Sequence, residues 1–264
     1  MTAPYASQMR FADESLARRL EGVSDRFMFQ WVKGLPVRFE RFGAATGVAA
    51  PERSDVDFMN RVCGLWPEDA EQVAGIAAWY RELGVRGWFE LAPAEGFERL
   101  AAALTRAGAG QIGFHARLWG PVSDPSPLRH DVRVDEGPDP RVFADVLLRG
   151  HEVPERFRIT DRPAFEHGAV SGWRLYLAYV GEVPAGAAAL AIDDGIAYLA
   201  NASTLPEFRR RGVQNALIAR RLADAAAAGC ELASSGTDFG SSSQRNLERA
   251  GLQVAYTKAV WRLH

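Results

Sequence analysis

The stretch L-P-E-F-R-R-R-G-V-Q-N, residues 205–215, carries the strongest structural signal in this chain. It follows a strand-like run at 196–204 and leads directly into a helical run at 213–228. The first turn of a helix has unpaired N–H groups and the positive end of the helix dipole. Gly212 lets the backbone approach a ligand, and the arginines before it add positive charge. This order of elements predicts a phosphate or pyrophosphate site, although a solvated surface turn would have a similar sequence.

Two common phosphate-binding motifs do not fit this stretch. A P-loop requires G-x-x-x-x-G-K-[ST], and that string does not occur in the sequence. A dinucleotide fingerprint requires G-x-G-x-x-G after a strand, and Gly212 has no second glycine two residues away. The anion site predicted here is therefore of another kind.

The stretch resembles the pyrophosphate loop of the GNAT superfamily of acyl-CoA N-acyltransferases. That loop reads [QR]-x-x-G-x-[GA] and follows a proline that ends the fourth strand of the family's core. Arg209, Gly212 and Gln214 occupy the three defined positions, and Pro206 stands where the proline belongs. Gln214 departs from the small residue of the pattern, so its side chain has to point away from a bound pyrophosphate.

The order of elements after the loop supports this resemblance. Gly229 ends the helical run, and a strand-like run at 230–235 follows. A second helical run at 241–250 ends at Gly251 and leads into a last strand at 252–262. This is the element order of the GNAT core from its fourth strand onward. The resemblance covers the chain from residue 127 to its end.

The resemblance implies an acetyl-CoA site in the second half of the chain. In the family, the fourth strand separates from the fifth, and the freed backbone holds the pantetheine and the thioester oxygen. Ala202, Ser203 and Thr204 would form that stretch, and the loop and helix start would hold the pyrophosphate. The binding residues that it implies are Ala202, Ser203, Thr204, Arg209, Arg210, Arg211, Gly212, Val213, Gln214, Asn215 and Asn246.

Composition predicts an ordinary globular protein. The chain has 264 residues, 47% hydrophobic and 24% charged residues, and a net charge of −2. It lacks the broad basic field that nucleic-acid binding requires, and it has no apolar run long enough to span a bilayer. Neither Cys63 nor Cys230 has a C-x-x-C partner, so no metal site is expected. We expect a cytoplasmic protein without nucleic-acid or membrane partners, either a monomer or a homodimer.

The first half of the chain repeats the second half. Residues 104–108 (LTRAG) match residues 247–251 (LERAG), and each is followed by a strand-like run that reaches a tryptophan. Toward the N-terminus, the helical run at 68–83 and Gly84 match the helical run at 213–228 and Gly229. Internal repetition of this kind indicates two structural copies. The predicted fold is therefore α/β (α+β), with two GNAT-like units, each a mixed, mostly antiparallel sheet flanked by helices.

The first copy lacks the features of the anion loop. In its place stand Gly64-Leu65-Trp66-Pro67-Glu68-Asp69-Ala70, and the two carboxylates would repel a pyrophosphate. The segment 120–127 is rich in proline and polar turn formers and is typical of a linker. We predict a degenerate GNAT-like domain without a CoA loop at 1–122 and an N-acetyltransferase domain at 128–264. The second domain ends after one closing strand, so the other half could complete its sheet.

The catalytic groups are not identified by the sequence, which offers four candidates. Many relatives have a tyrosine acid four residues before the glycine equivalent to Gly251, and this chain has Leu247 there. Tyr256 or Tyr198 could replace that acid, and either could equally be a half-buried sheet residue. His151 or His167 could act as the base, since histidine has a suitable pKa, and either could be a simple surface residue. The candidates are Tyr256, Tyr198, His151 and His167.

The expected function is transfer of an acetyl group from acetyl-CoA to a primary amine by direct attack in a ternary complex. The acceptor would be a small molecule or an amino group of a peptide or protein. Two alternatives stay open: a transferase for a longer acyl-CoA, and a non-catalytic CoA-binding or interaction protein. None of these three functions is expected to need a metal.

Overall fold

The computed structural model describes residues 14–33, 35–122, 131–168 and 173–264. Within these residues seven α-helices and eleven strands alternate along the chain, and short 3-10 turns join some of them. The elements are α1 (Glu14–Val32), β1 (Arg38–Phe42), β2 (Ala45–Ala49), β3 (Arg61–Cys63), α2 (Val73–Glu82), β4 (Trp88–Leu91), α3 (Phe97–Arg106), β5 (Ala109–Pro121), β6 (Val132–Glu136), α4 (Pro140–Gly150), α5 (Glu155–Gly168), β7 (Arg174–Val180), β8 (Val183–Asp193), β9 (Ile196–Thr204), α6 (Val213–Ala227), β10 (Leu232–Asp238), α7 (Ser242–Arg249) and β11 (Gln253–Leu263).

The chain forms two compact units that are not contiguous in sequence. The first unit comprises the described residues up to Asp25, Pro36–Arg117 and Ala255–His264. The second comprises Arg26–Leu35 and Leu118–Val254. The C-terminal segment thus groups with the first unit, whereas the predicted domain at 128–264 included it. No helix among the described residues is long and apolar enough to cross a membrane.

The first unit is built on a mixed sheet. Strands β1, β2 and β3 are antiparallel neighbours, and β3 runs parallel to β4. Strand β4 then pairs with the C-terminal strand in antiparallel register, with Ala259 opposite Leu91 and Trp261 opposite Phe89. The side chains of Phe89, Leu91 and Trp261 lie in one buried cluster with α2 and α3. Non-polar burial on this scale supplies most of the stabilisation of a small domain.

The second unit repeats this plan with longer strands. Strands β6, β7, β8 and β9 form an antiparallel series, and β9 runs parallel to β10. The neighbour of β10 on its other side is β5. Two contacts to the end of β5 lie within this unit: the Ser234 hydroxyl donates to the Leu118 carbonyl at 3.1 Å, and the Val122 N–H donates to the Glu231 carbonyl at 3.0 Å.

The two sequence copies therefore exchange their last strands. In each copy the strand after the second helix should close the copy's own sheet. Instead, β11 pairs with β4 in the first unit, and the end of β5 lies beside β10 in the second. The predicted α/β class, with two mixed, mostly antiparallel units flanked by helices, is confirmed.

Most predicted elements are found at or near their predicted positions. The strand at 196–204 agrees to the residue, and the loop helix ends at Ala227. Asp139 caps α4, because its carboxylate accepts a hydrogen bond from the Arg141 N–H at 2.8 Å. Most of the predicted linker, from residue 123, lies outside the described residues.

Two boundaries differ from the prediction for local reasons. The first-copy helix begins as a 3-10 segment, Pro67–Gln72, because Asp69 has non-helical backbone angles and its carboxylate accepts from the Trp66 N–H. The strand predicted at 230–235 is displaced to Leu232–Asp238. The Cys230 N–H donates to the carbonyl of Ala225 and so closes the end of α6. Both cysteines are buried free thiols.

A buried ionic cluster joins four elements of the first unit, α1, β4, β5 and β11. Glu21 on α1 accepts two hydrogen bonds from Arg117, both at 2.8 Å, and one from Lys258 Nζ at 3.1 Å. The Tyr256 hydroxyl donates to Glu21 at 2.8 Å, and Lys258 also pairs with Glu90. Burial alone would raise the pKa of Glu21, but the charges of Arg117 and Lys258 lower it to about 2. The carboxylate is therefore ionised at neutral pH.

In the second unit, small residues let α6 lie close to the sheet. Strand β8 is buried along Ala185–Ala191, and both α4 and α6 pack against it. A Cβ placed on Gly186 would come within 2.6 Å of Val213 Cγ1, so only glycine permits this approach. The start of α6, where the predicted anion site lies, is thereby held against β8 and β9.

Candidate functional site

The basic glycine loop has the backbone shape of an anion cradle. A 3-10 turn at Pro206–Phe208 follows β9, and Arg210 and Gly212 then adopt left-handed backbone angles with φ of 64° and 83°. The first hydrogen bond of α6 runs from the Ala216 N–H to the Gly212 carbonyl at 3.0 Å. The N–H groups of Val213, Gln214 and Asn215 lie in the first turn of α6, before this bond. None of them has a backbone acceptor among the described residues. Free amides at a helix start favour an anion.

A cavity of about 690 Å³ lies over this loop, and we call it the loop cavity. It is bordered by the end of β9, the start of α6 and the first turns of α7. Its lining is polar and carries positive charge. The lining residues are Gly150, His151, Ala202, Ser203, Thr204, Phe208, Arg209, Arg210, Gly212, Val213, Gln214, Asn215, Ser242, Ser243, Asn246 and Arg249.

The three consecutive arginines have different environments. Arg209 donates to the Glu152 carboxylate at 2.8 Å and to the Gly150 carbonyl at 3.2 Å. Arg210 is exposed and lines the loop cavity. The guanidinium of Arg211 lies 5.4 Å from the centre of the Phe208 ring and does not line the cavity. Arg210 is thus the arginine of the three that lines the cavity without an ion pair in the described structure.

The parallel strands β9 and β10 pair only at their beginnings. Their register covers three pairs and ends with Ser234 opposite Tyr198. At the next position, the Ser235 hydroxyl donates to the Leu199 carbonyl at 2.7 Å in place of a backbone bond. Beyond this point the edge of β9 toward β10 has no strand partner in the described structure, whereas its other edge remains paired with β8. A separation of these two strands is the feature that the resemblance predicted.

A second cavity of about 280 Å³ occupies the gap between the strands, and we call it the strand cavity. Its lining includes Ala200, Asn201 and Ala202 of β9 and Ser235, Gly236 and Thr237 of β10. The other lining residues are His151, Leu199, Gln214, Ile218, Arg221, Ser243 and Leu247. Four residues border both cavities: His151, Ala202, Gln214 and Ser243.

The structure brings together ten of the eleven predicted binding residues around the loop cavity; the exception is Arg211. The Ser203 hydroxyl points to α4 and donates to the Leu147 carbonyl at 3.1 Å, so this residue offers backbone groups only. The Thr204 hydroxyl is buried without a hydrogen-bond partner in the described part of the chain. A buried polar atom of this kind at a cavity wall is suited to a polar ligand.

Neither tyrosine candidate borders the two cavities. Tyr256 belongs to the first unit, where its hydroxyl is bonded to Glu21. Burial and the Glu21 carboxylate raise the pKa of Tyr256 far above its ordinary value, which is unsuitable for an acid at neutral pH. Tyr198 stacks on Phe27, with ring centres 6.5 Å apart. Leu247, at the position of the family's tyrosine, is buried and borders the strand cavity.

His151 is the catalytic candidate that the structure places at the site. It follows the last turn of α4 and borders both cavities. Desolvation lowers the pKa of its imidazole although part of the residue is exposed, so the ring is neutral at pH 7 and can accept a proton. The side chain of His167, the other candidate, lies outside the described part of the structure.

Several lining residues were not predicted from the sequence. Ser242 and Ser243 border the loop cavity from the first turn of α7, and Arg249 borders it from the end of that helix. Arg221 borders the strand cavity from α6. An arginine on the same helical face as Leu217 and Leu222 is the sequence signal that could have identified it. Among the described residues, no cluster of histidine, cysteine and acidic side chains could hold a metal ion.

Solved structures show which class this fold defines. A GCN5-related N-acetyltransferase from Kribbella flavida matches with a TM-score of 0.66 and 18% identity, covering 93% of this chain and 95% of that chain. A tandem GNAT protein from the clavulanic acid biosynthesis pathway matches with a TM-score of 0.62 and 14% identity, covering 95% and 94%. A functionally unknown conserved protein from Staphylococcus epidermidis gives 0.61 and 12%, covering 86% and 94%. The chain has the GNAT fold.

Comparison of the sequence with family models identifies one domain in the second half of the chain. Residues 150–242 match a family model described as an acetyltransferase (GNAT) domain. The matched stretch includes β9, the basic glycine loop, α6 and β10. No curated protein matches the chain. The sequence match thus identifies a GNAT acetyltransferase domain at residues 150–242, and this stretch includes most of the residues around both cavities.

Proposed function

We propose that the second unit transfers an acetyl group from acetyl-CoA to a primary amine by direct attack in a ternary complex. The observation that supports this most strongly is the pair of cavities that share His151, Ala202, Gln214 and Ser243. One cavity has an anion cradle, and the other exposes the backbone of a separated strand. A thioester with a phosphate-bearing tail requires these two environments next to each other.

The residues present suit acetyl-CoA. The free amides from Val213 to Asn215, the left-handed turn at Arg210 and the Arg210 charge would bind the pyrophosphate. The unpartnered Thr204 hydroxyl and Asn246 offer polar groups along the same cavity. The freed backbone of Asn201 and Ala202 would face the pantetheine and the thioester, which supply the activated acetyl group.

The chemistry needs few groups from the protein. The nitrogen of a neutral amine attacks the thioester carbon, and the carbonyl electrons move to the oxygen. When they return, the C–S bond breaks and the sulfur leaves with its electron pair as a thiolate. The nitrogen loses one proton, and the thiolate takes one up, so the products are an amide and CoA thiol. His151, neutral and at the border of both cavities, would accept the amine proton.

The first unit would contribute structure and no CoA site. At its equivalent of the loop, Glu68 is held by the Arg18 guanidinium at 2.8 and 3.0 Å, and Asp69 is buried. These carboxylates stand where a pyrophosphate would have to lie. We retain residues 1–122 and 128–264 as a proposal for the extent of the two sequence copies, the first of them degenerate.

One observation favours a second candidate, a non-catalytic CoA-binding protein. The described residues that border the strand cavity include no tyrosine, so the family's usual acid is not replaced nearby. A CoA thiol is a fair leaving group near neutral pH, however, and a dedicated acid is not obligatory. For that reason we give the transferase precedence.

A two-stage experiment tests the proposal. Acetyl-CoA is first titrated into the protein by calorimetry, and we expect saturable binding at a single site per chain. A panel of primary amines, including free-amino peptides, is then assayed for release of free thiol with acetyl-CoA and longer acyl-CoA donors. Turnover of an amine by acetyl-CoA supports the proposal, and faster turnover with a longer donor favours that alternative. Binding of acetyl-CoA without release of CoA thiol in the presence of any amine indicates the non-catalytic protein. Absence of binding refutes both the transferase and the CoA-binding protein.

A further inference from the structure

Arg221 on α6 is a fully buried arginine at the wall of the strand cavity. Its side chain is 1% exposed, and no step of the chemistry above uses it. Its Nε donates to the Leu217 carbonyl at 3.0 Å within the helix. Its Nη1 donates to two strand carbonyls, Ala189 on β8 at 3.1 Å and Ala200 on β9 at 3.3 Å.

The charge of Arg221 has no carboxylate partner among the described residues. Burial lowers the pKa of Arg221 to about 10, so the guanidinium remains a cation at neutral pH. The acidic group that acts on it is the hydroxyl of Tyr176, whose own pKa is raised by burial and by Asp224, so the phenol is uncharged. Of the residues that border the strand cavity, only Arg221 and His151 can ionise as cations. The strand cavity is therefore bordered by a residue whose positive charge has no carboxylate beside it.

The two strand carbonyls that Arg221 binds lie next to an irregularity in the sheet. Ala189 and Ala200 are register partners, and the pairing of β8 with β9 shifts between Ala187 and Ala189. Asn201, directly after Ala200, has a left-handed φ of 46°. The shift places two residues of β9 opposite one of β8, which is a β-bulge. Arg221 thus fixes the residue that precedes the bulge.

The bulge determines which backbone groups the strand cavity receives. Asn201 and Ala202, the bulged residues, both border that cavity, and Ala202 also borders the loop cavity. A left-handed non-glycine residue is unfavourable unless its surroundings hold it in place. The Arg221 Nη1 atom supplies such a restraint, because it binds the Ala189 and Ala200 carbonyls together.

We propose that Arg221 is a positioning residue for acyl transfer, which holds the β9 bulge open and supplies a buried positive charge to the strand cavity. The charge would stabilise the two negative centres of the reaction, the oxyanion on the thioester oxygen and the thiolate that leaves. Both form only when the amine nitrogen attacks and the C–S bond breaks, and both have vanished in the amide and the protonated thiol. Arg221 itself neither gains nor loses a proton. This inference rests on the proposed function, since it assumes that the thioester lies in the strand cavity.

The thiol of CoA is a direct probe of this charge, because it ionises without any acetyl transfer. CoA is bound to the full-length protein at saturation, and thiolate absorbance in the ultraviolet is followed as the pH is raised. The complex with desulfo-CoA, titrated in parallel, gives the background from tyrosines and cysteines. We expect the pKa of the bound thiol to lie about one pH unit or more below that of free CoA.

Two substitutions and one control separate charge from structure. Arg221→Gln keeps an N–H donor and removes the charge, whereas Arg221→Lys keeps the charge and loses the separate Nε bond to Leu217. Arg220→Gln is the matched control on the same helix, because Arg220 pairs with Asp224 and borders neither cavity. We expect Arg221→Gln to raise the bound thiol pKa to the value for free CoA and to lower kcat at least about tenfold, with the Kd for acetyl-CoA changed less than about threefold. Arg221→Lys should restore the thiol pKa and part of kcat.

The outcomes are separable from those of the proposed function. A wild-type protein that binds CoA with an unshifted thiol pKa overturns the role of Arg221, whether or not the glutamine variant folds. Equal kcat and thiol pKa in Arg221→Gln and Arg220→Gln would overturn it as well. The wild-type protein could instead lower the pKa of bound CoA thiol but release no thiol from acetyl-CoA with any amine. In that case the proposed transferase is refuted, and the inference that a buried charge lies near the bound thiol is retained.

Discussion

Single residues of the loop do different work although they are adjacent in sequence. Gly212 provides the left-handed turn and the open approach to the helix amides, and Arg210 provides charge at the cavity wall. Arg211 stacks on Phe208 instead, and Arg209 is occupied by Glu152. The sequence motif predicts the same binding role for all three arginines, whereas their contacts in the structure differ.

Replacing Gly212 should abolish the proposed CoA site. In Gly212→Glu a carboxylate would enter the cradle that the pyrophosphate requires, and we expect the Kd for acetyl-CoA to rise about a hundredfold or more. Calorimetry measures this change. Gly229→Glu is the control, because Gly229 also has a positive φ, at 74°, and has nothing within 4 Å of an added Cβ. Equal loss of binding in the two variants would mean that backbone strain, and not the cradle, is responsible.

The neighbouring arginines provide a matched pair for the charge contribution. Arg210→Gln should raise the Kd for acetyl-CoA about tenfold, with a steeper loss at high salt, because an exposed phosphate contact is screened. Arg211→Gln should change it less than about threefold, since its guanidinium lies over Phe208. Titrations at two salt concentrations measure both effects. The assignment of Arg210 to the cavity fails if the two variants lose the same affinity.

His151 gives the reaction its expected pH dependence. Because its pKa is lowered from 6.5, the imidazole is neutral at pH 6.5 and above and becomes protonated only at more acidic pH. As a base it is lost on protonation, so kcat/KM should decline on the acidic side. In His151→Gln we expect kcat/KM to fall about a hundredfold and this acidic decline to disappear. A pH–rate profile measures both, and His264→Gln should leave the profile unchanged. An unaltered profile in His151→Gln would exclude it as the base.

Local signals account for what could be predicted at the residue scale. The position of Gly212, the capping by Asp139 and the loss of the tyrosine at Leu247 follow from short sequence patterns. The environment of Arg221 does not, because it depends on which carbonyls a bulge leaves open in two strands. The location of Tyr256 in the first unit depends on the path of the last strand, which no local pattern contains.

Elements are held together in the first unit by charge as well as by apolar packing. Glu21 links α1 to β5 through Arg117 and to β11 through Lys258, all in buried surroundings. A buried carboxylate between two cations has a specific geometry that apolar contacts lack. Helix and strand periodicity predicted the elements themselves, but the sequence gives no sign that these three charges meet, since they are far apart along the chain.

Removing the central carboxylate should destabilise the protein in a pH-dependent way. Glu21→Gln leaves Arg117 and Lys258 without it, and we expect a loss of about 3 kcal/mol in the free energy of unfolding at pH 7. The folded pKa of Glu21 is lowered to about 2 from 4.5, so its contribution is complete above pH 4.5 and is lost as the pH falls toward 2. The difference between the two proteins should therefore shrink over that range.

Urea unfolding at pH 7 and at several acidic values measures this effect. Glu14→Gln is the control, because the Glu14 side chain is 39% exposed and pairs only at the surface with Arg18. We expect that control to change stability by less than about 0.5 kcal/mol at every pH. A pH-independent difference for Glu21→Gln would show that the carboxylate does not titrate as its surroundings imply.

For the whole molecule, the exchange of last strands makes the two sequence copies interdependent. The sequence indicated a duplication and one closing strand in the second copy, and from these an incomplete sheet could be predicted. The sequence could not predict which of the two strands completes which sheet, because β5 and β11 have similar lengths and apolar patterns. Pairing between strands so distant in sequence is set by the assembled structure and not by local preference.

A fragment of residues 128–264 should therefore not behave as an independent domain. It lacks β4, the partner of β11, and β5, the neighbour of β10, so two strand edges would be exposed. We expect it to aggregate or self-associate in size-exclusion chromatography, and we expect the full chain to elute as a defined species. Coexpression with residues 1–122 should restore a soluble complex. A monomeric fragment with the full affinity for acetyl-CoA would show that the exchanged strands are dispensable.

The strand exchange also sets an order of events during synthesis on the ribosome. Residues up to Arg117 emerge first, yet their sheet cannot be completed until β11, whose last residue is Leu263, has left the exit tunnel. Until then the edge of β4 is open and available to chaperones. A message whose translation stops at Val254 would leave the first unit without its last strand, although every residue of the second unit would be present. The open edge of β4 would then mark the truncated chain for quality control.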